Sequence, residues 1–115
     1  ARIEARLRRG PAGAEVTRLR VADLEMDLLS RQVTRDGRVL ALPAREFQLL
    51  EVLLRRAGQV VTRTMLLEMV WDFDFAPHTN VIDVHVRRLR RTVDRDFARP
   101  LIHTVRGAGY MLRAG

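Results

Sequence analysis

The sequence has no cysteine and no long apolar run. The lack of cysteine excludes a disulfide framework and a thiolate metal site, which is typical of a cytoplasmic protein. The apolar runs fall short of the roughly 18 residues that cross a membrane, and no signal-peptide pattern opens the chain. We therefore expect a cytoplasmic protein with no membrane contact. Because the first residue is Ala1, we also expect a piece of a longer chain.

The positive charge is concentrated at the two ends of the chain. Residues 1–20 carry six arginines against two acids, residues 21–86 carry seven against ten, and residues 87–115 carry eight against two. The net charge of +7 therefore surrounds a mildly acidic middle. This asymmetry indicates a polyanionic partner that the C-terminal third of the chain contacts.

Residues 79–91 carry the most informative pattern. Wound as a helix, this segment has one apolar stripe, at intervals of four, three and four, formed by Ile82, Val86, Leu89 and Val93. The opposite side is basic and also keeps two valines. Its face comprises Val81, Val84, His85, Arg88 and Arg91, with Asn80 and Arg87 on its shoulder.

The valines distinguish this face from a merely solvated one. In the major groove of DNA, small apolar groups contact thymine methyls, and an arginine one turn along binds guanine O6 and N7 through two hydrogen bonds. Arg88 lies in line with Val81 and Val84, so we predict that these three side chains read bases. Taken alone, a basic helical face is more often only a soluble surface, and the rest of the chain must decide between the two.

Residues 19–42 predict a small antiparallel sheet with one covered face. They form short β-like runs around Asp36-Gly37, a strong hairpin signal because both residues tolerate positive φ. A helix is expected over residues 43–56, with Pro43 in its first turn and Gly58 after its end. The apolar side of this helix comprises Phe47, Leu50, Val52, Leu53 and Leu54.

The remaining elements complete a recognisable order. Val60-Val61 suits a brief strand, and Thr62 is a plausible N-cap for a short helix that ends at Trp71. After an irregular loop, the basic helix is expected over residues 78–94, followed by a β-hairpin over residues 101–113. A helix-turn-helix followed by a β-hairpin is a winged helix, so the predicted fold class is α+β.

Four strings, in this order and spacing, resemble the OmpR/PhoB-type effector domain of bacterial response regulators. They are Ala44-Arg-Glu-Phe-Gln-Leu-Leu50, residues 60–71, residues 79–91 and Thr104-Val-Arg-Gly-Ala-Gly-Tyr110. The resemblance implies a four-stranded N-terminal sheet, three helices and a C-terminal wing. Because the first nine residues are similar to the end of a receiver domain, we expect residues 1–17 to be the end of a receiver-like segment and a linker. Residues 18–115 would then be the winged-helix DNA-binding domain.

The resemblance also implies a role for each matched position. The recognition helix 78–94 would lie in the major groove, and the wing 101–113 in the minor groove. Base reading is assigned to Val81, Val84 and Arg88, and minor-groove contact to Arg106 with Thr104 beside it. Contacts to the DNA backbone are assigned to Trp71, Asn80, His85, Arg87, Arg90 and Tyr110. The loop facing RNA polymerase comprises Asp72, Phe73, Asp74, Phe75, Ala76 and Pro77.

The implied partners define a transcription regulator of a two-component system. They are double-stranded promoter DNA with direct repeats, RNA polymerase, an N-terminal receiver domain and a sensor histidine kinase. We expect a monomer in the free state and a tandem dimer when two copies occupy adjacent half-sites.

Some of these residues have a structural alternative. A lone tryptophan at the end of an apolar helix, such as Trp71, is most often part of the core. Phe73 and Phe75 are as well suited to anchor their loop as to contact a polymerase. Arg90 lies on the flank nearer the protein, where a salt bridge is the alternative.

Two acidic residues have expected local partners. Asp83 sits one turn before Arg87 and is placed to hold that guanidinium. Glu46 stands at the capping-box position of the first helix, but Pro43 replaces the threonine that often begins it, which puts the capping box in doubt.

Catalysis and metal binding are not expected. His78 and His85 are too far apart for one ion, and His103 lies in a separate β run without further ligands at zinc-like spacing. No cysteine is present, and no serine or threonine lies in a glycine elbow. The sequence therefore predicts no cofactor and no enzymatic activity.

Two other functions compete with sequence-specific DNA binding. A nonspecific nucleic-acid-binding module would bind any duplex and would leave Val81 and Val84 unexplained. A winged helix used for protein docking would not bind duplex even at low salt, where electrostatic association is strongest.

Overall fold

The structure is a computed structural model that describes residues 17–71 and 80–114. A four-stranded antiparallel sheet comes first in this part of the chain. Its strands are β1 (Arg18–Val21), β2 (Leu24–Asp27), β3 (Gln32–Arg35) and β4 (Arg38–Leu40), and each pairs with the next. The Asp36-Gly37 turn between β3 and β4 has φ angles of 53° and 80°. This positive-φ pair is what a tight hairpin requires, so the predicted sheet and turn are confirmed.

Helices α1 (Ala44–Arg55) and α2 (Arg63–Val70) follow, and their starts differ in chemistry. Thr62 caps α2 as predicted, because its Oγ1 accepts a hydrogen bond from the Met65 N–H at 3.0 Å. Pro43 has extended backbone angles and caps α1 without a side-chain hydrogen bond. The predicted helix over residues 43–56 is therefore one residue shorter at each end, and Pro43 stands just before its first turn.

The third helix, α3, spans Asn80–Val93 and carries the basic face. The prediction for this helix was residues 78–94, of which residues 78 and 79 lie outside the described part of the chain. The loop predicted at Asp72–Pro77 also lies outside it.

A second sheet joins the C-terminal hairpin to the start of α2. It comprises β5 (Val61–Thr62), β6 (Ile102–Val105) and β7 (Gly109–Leu112) in the order β5-β7-β6. The β5 backbone approaches Gly109 so closely that a Cβ there would lie 2.2 Å from the Val61 carbonyl oxygen. Sequence reasoning found the brief strand near residues 60–61 but not that it pairs with the wing.

One apolar core holds both sheets and all three helices together. Helix α1 contacts β1, β7, α2 and α3. Its predicted apolar side is confirmed at Phe47, Leu50, Leu53 and Leu54, but Leu49 is also fully buried and Val52 only partly so. From the sheets and the other helices, the core takes in Leu24, Met26, Val33, Leu66, Ile82, Val86 and Leu89.

The buried guanidinium of Arg35 ties the N-terminal sheet to the end of α3. It is 1% exposed. Its Nε donates to Asp23 at 3.1 Å, and its Nη1 donates to the Val93 carbonyl at 2.6 Å and to Asp94 at 2.9 Å. Its Nη2 donates to the Arg99 carbonyl, and the group lies 4.7 Å from the centre of the Phe97 ring. No sequence pattern indicates this role for Arg35.

The Asp94 carboxylate, which binds Arg35, is also hydrogen-bonded to the start of the wing. Its two oxygens accept hydrogen bonds from the backbone N–H groups of Leu101 and Ile102, at 3.0 and 3.1 Å. The end of the recognition helix and the first strand of the hairpin therefore share one anchor.

The α+β winged helix-turn-helix predicted from the sequence is the observed fold. In the described ranges no helix is long and apolar enough to cross a membrane.

Replacing Arg35 with alanine should lower the free energy of unfolding by about 3–5 kcal/mol, because it leaves buried acceptors unpaired. Urea denaturation of the whole chain measures this. Arg38→Ala is the matched control, since Arg38 also lies over the Phe97 ring but is exposed. The control should cost no more than about 1 kcal/mol. Equal losses in the two variants would show that the buried hydrogen bonds contribute nothing beyond ring contact.

Candidate nucleic-acid interface

Helix α3 has the two unlike faces that its sequence predicts. Ile82, Val86, Leu89 and Val93 are at most 1% exposed, which confirms the apolar stripe. On the opposite side Arg87, Arg88 and Arg91 are exposed, and Val84 is 39% exposed among them. Val81 is partly buried against the core. The side turned to solvent is therefore guanidinium-rich and keeps one open apolar side chain.

Arg90 joins this helix to the wing. Its Nε donates to the Ile102 carbonyl at 3.2 Å, and its Nη2 donates to Thr104 Oγ1 at 2.7 Å. Within residues 17–71 and 80–114, Arg90 does not form the salt bridge given as its alternative role, because its partners are a carbonyl and a hydroxyl on β6 and not a carboxylate. Thr104 remains exposed, so the pair lies at the surface between helix and wing.

Asp83 links the N-terminal half of α3 to α2 and to the wing. It accepts a hydrogen bond from Arg63 Nε at 2.8 Å and another from the Tyr110 hydroxyl. We expected Asp83 to hold Arg87, and this expectation is wrong, because the carboxylate is directed across to α2 and β7 and not along its own helix. The hydrogen bond from Tyr110, together with that from Arg63, lowers the pKa of Asp83.

Tyr110 and Arg63 show the complementary effects of this cluster. Burial, together with the neighbouring Asp83 carboxylate, raises the pKa of the Tyr110 hydroxyl. The hydrogen bond to Asp83 raises the pKa of Arg63, whose guanidinium lies 5.2 Å from the centre of the Tyr110 ring. Tyr110 is only 4% exposed. Its hydroxyl group therefore belongs to the contact with Asp83 that packs the wing against α3.

Trp71 is part of the core, as the structural alternative held, and is 6% exposed. Its ring lies 5.1 Å from the His85 ring, centre to centre, and the Arg45 guanidinium lies 5.1 Å from its centre. The indole therefore supports the side of α3 on which His85 stands.

His85 is held by a buried carboxylate. Its Nδ1 is hydrogen-bonded to Glu46 Oε1, and Glu46 is 3% exposed. The capping box of α1 does not form, because Pro43 has no backbone N–H to which Glu46 could return, and Glu46 is bonded to His85 on α3. Sequence reasoning placed Glu46 at a helix start and missed its partner on α3.

The tip of the wing adds one more exposed cation. Arg106 lies in the turn between β6 and β7, where the Ala108 N–H donates to the Val105 carbonyl at 3.0 Å. An open groove lined by Arg90, Arg91, Arg95 and Thr104 lies between α3 and β6. The basic side of α3 is therefore continuous with the wing along this groove.

Part of the predicted site lies outside the described residues. The loop Asp72–Pro77 lies outside the described residues, and of Asn80 only the backbone is described, as the first residue of α3. Among residues 17–71 and 80–114, no three histidine or carboxylate side chains converge as a metal site would require.

Comparison with known proteins identifies the family. A family model described as "Transcriptional regulatory protein, C terminal" matches residues 37–112. The chain belongs to this family. It is also 50% identical to the transcriptional regulatory protein CusR of Escherichia coli K12, over 97% of this chain and 49% of CusR. The chain thus spans about half the length of this relative.

Solved structures of the family share the fold. The response regulator DrrB of Thermotoga maritima, described as an OmpR/PhoB homologue, matches with a TM-score of 0.76 and 34% identity over 85% of this chain and 45% of DrrB. The RstA DNA-binding domain of Klebsiella pneumoniae, solved in complex with the RstA box, matches with a TM-score of 0.74 and 28% identity. That match covers 85% of this chain and 98% of the RstA domain. The OmpR/PhoB resemblance is therefore confirmed.

Asp83→Asn should destabilise this family member most near neutral pH and hardly at all in acid. Because the folded-state pKa of Asp83 is depressed, its contribution is present above the unfolded value of about 3.9 and is lost as pH falls through the folded value. Since the side chain is 38% exposed, solvent screening limits the loss to about 1 kcal/mol. Thermal unfolding of variant and parent from neutral to acid pH measures the difference.

Asp96→Asn is the charge-matched control for this experiment, since Asp96 is exposed in the turn after α3. It should track the parent at every pH. A gap between Asp83→Asn and the parent that widens toward acid would mean that the ionised carboxylate does not stabilise the folded state.

Proposed function

We propose that this chain binds double-stranded DNA sequence-specifically, as the effector domain of a two-component response regulator that controls transcription. The observation that carries the proposal is the exposed side of α3, where Val84 stands open among Arg87, Arg88 and Arg91 while the apolar stripe is fully buried. An exposed β-branched side chain among guanidinium groups is suited to contact a thymine methyl beside the guanine edges that arginine binds. The RstA domain, solved on its DNA box, supports the proposal through the shared fold.

Base reading falls on Val81, Val84 and Arg88 in the major groove. Val84 and Arg88 are both exposed and one helical turn apart, so a thymine methyl and a guanine edge on neighbouring base pairs suit them. Val81 is partly buried and offers a smaller contact. Arg88 has five N–H donors for the two guanine acceptors and is the main determinant of specificity.

Backbone contacts surround this reading face. Exposed Arg87 is suited to bind a phosphate directly, and Arg90 can bind one with the N–H groups that Ile102 and Thr104 leave free. His85 presents the far edge of its ring, and the backbone role of Asn80 stays a prediction. Trp71 and Tyr110 are nearly buried. Trp71 can therefore bind a phosphate only through its indole N–H, and Tyr110 only if its O–H turns from Asp83 to the phosphate. Arg106 enters the minor groove from the wing, with Thr104 beside it.

The wider assembly follows from the family and is proposed for the whole protein. Residues 1–17 would be the end of a receiver-like segment and a linker, and residues 18–115 the DNA-binding domain. A sensor histidine kinase would phosphorylate the receiver domain, and two copies would pair in tandem on direct repeats while the free chain stays monomeric. The loop Asp72–Pro77 would contact RNA polymerase. The relative CusR is a transcriptional regulatory protein, which supports a non-enzymatic role in the cytoplasm.

Arg88→Ala should reduce affinity for the specific site by about 1–3 kcal/mol and relax the choice of base at one step, because it removes a two-bond guanine contact. Selection of bound duplexes from a random pool, with parent and variant, measures this. The parent should enrich a short motif in direct repeat. Arg20→Ala removes the same charge from exposed β1 and should leave the motif unchanged.

One outcome of the selection would reject base reading by Arg88, and a second would reject the proposal. If Arg88→Ala weakens binding equally on all sequences, Arg88 contacts only the backbone. If the parent enriches nothing, a nonspecific nucleic-acid module or a protein-docking domain accounts better for the basic face, and binding to duplex at low salt separates these two.

Salt dependence counts the phosphate contacts. If about five side chains neutralise phosphates, log affinity against log salt should have a slope of roughly −4 to −5, since each contact releases a fraction of a counterion. Arg87→Ala should make the slope shallower by about 0.9 and reduce affinity similarly on all sequences. A slope near zero for the parent would be incompatible with backbone binding by this face.

A further inference from the structure

The contact between Glu46 and His85 places a buried carboxylate directly behind the DNA-facing side of α3. Glu46 is 3% exposed, whereas the His85 side chain keeps 20% of its surface open. The Nδ1 atom of His85 is bonded to Glu46 Oε1. The remaining polar atom of the ring is Nε2. The imidazole therefore stands between a carboxylate on its inner side and the proposed ligand on its outer side.

This arrangement determines whether the outer ring nitrogen, Nε2, donates or accepts a hydrogen bond. With Nδ1–H donating to Glu46, a neutral His85 has an unprotonated Nε2, which only accepts hydrogen bonds. A phosphate oxygen is also an acceptor, so the neutral ring cannot bind it. The imidazolium form has two N–H donors and can bind Glu46 and a phosphate together.

The charged groups around His85 carry opposite signs. Glu46 faces it from α1, and a phosphate would face it from outside. Arg45 from α1, and Arg88 and Arg91 from α3, line the same groove. The Trp71 ring closes the remaining side. Without DNA the three arginines oppose one carboxylate, and with DNA a second anion joins Glu46.

We propose that Glu46 is a positioning residue that makes DNA binding proton-linked: His85 takes up a proton as its Nε2–H binds a backbone phosphate. The proposal rests on the proposed function, since it needs a phosphate at α3. The transferred proton comes from solvent, and no covalent bond other than Nε2–H forms. Affinity for duplex DNA should therefore increase as pH falls through the range in which histidine titrates.

The test measures the affinity of the whole chain for a duplex carrying its selected motif, between about pH 5.5 and 8, a range in which only histidine and the α-amino group ordinarily titrate. Parent affinity should fall about tenfold across this range, the loss of one charge-assisted hydrogen bond. The salt slope should become shallower by about 0.9, since one phosphate is no longer neutralised. Calorimetric titrations in buffers of different ionisation enthalpy should show proton uptake on binding.

Three variants separate the roles. His85→Gln keeps a donor without a titrating ring, so its affinity and salt slope should not change with pH. Glu46→Gln keeps the shape and the hydrogen bond but loses the charge, so its affinity should match the parent near pH 5.5 and fall well below it at neutral pH. His103→Gln is the control for the other histidine of the described residues, and it should keep the parent's pH dependence.

The outcomes distinguish this inference from the proposed function. Binding with a pH-independent salt slope and no proton uptake would overturn the inference and leave DNA binding intact. A Glu46→Gln profile identical to the parent's would show that the carboxylate does not position the proton. Proton uptake is measured on the parent chain, so it tests the inference even if the Glu46→Gln variant does not fold. If the parent binds no duplex at any pH, both proposals fail.

Discussion

The buried guanidinium of Arg35 is the constraint on which the placement of the recognition helix depends. It lies inside the molecule, where two carboxylates, two carbonyls and the Phe97 ring surround it. A charge in this position is tolerated only when its hydrogen bonds are made, so the end of α3 cannot move away from the N-terminal sheet without exposing unpaired groups. The N-terminal sheet is in this way part of the structure that positions α3.

Two further polar contacts hold α3 along its length and leave its outer side free. Near its start, Asp83 is bonded to Arg63 and to the Tyr110 hydroxyl, which joins it to α2 and to the wing. Near its end, Asp94 receives the backbone N–H groups of β6 as well as the Arg35 guanidinium. Helix and wing are therefore fixed relative to each other before any ligand arrives. Such preorganisation reduces the entropy lost on binding.

The sequence predicts features that depend on neighbours in the chain, and fails at contacts between distant segments. The stripe of α3, the Asp36-Gly37 turn and the Thr62 cap follow from helical spacing, tolerance of positive φ and a hydroxyl one turn before an N–H. Arg35 and Val93, however, are 58 residues apart, and Glu46 and His85 are 39 apart. No local sequence pattern indicates which residues so far apart in the chain come into contact. Asp83 is an example. Arg87, one helical turn away, is the partner that the sequence predicts, whereas Arg63 and Tyr110 are the observed partners.

The outer side of α3 and the tip of the wing together form the proposed DNA-binding surface. The most direct test of this surface is an amide chemical-shift titration of the isotope-labelled chain with the selected duplex. We expect the largest changes in residues 84–91 and 106–108, with strands β1 to β4 nearly unchanged. Changes concentrated in the N-terminal sheet, with α3 and the wing tip unaffected, would contradict it.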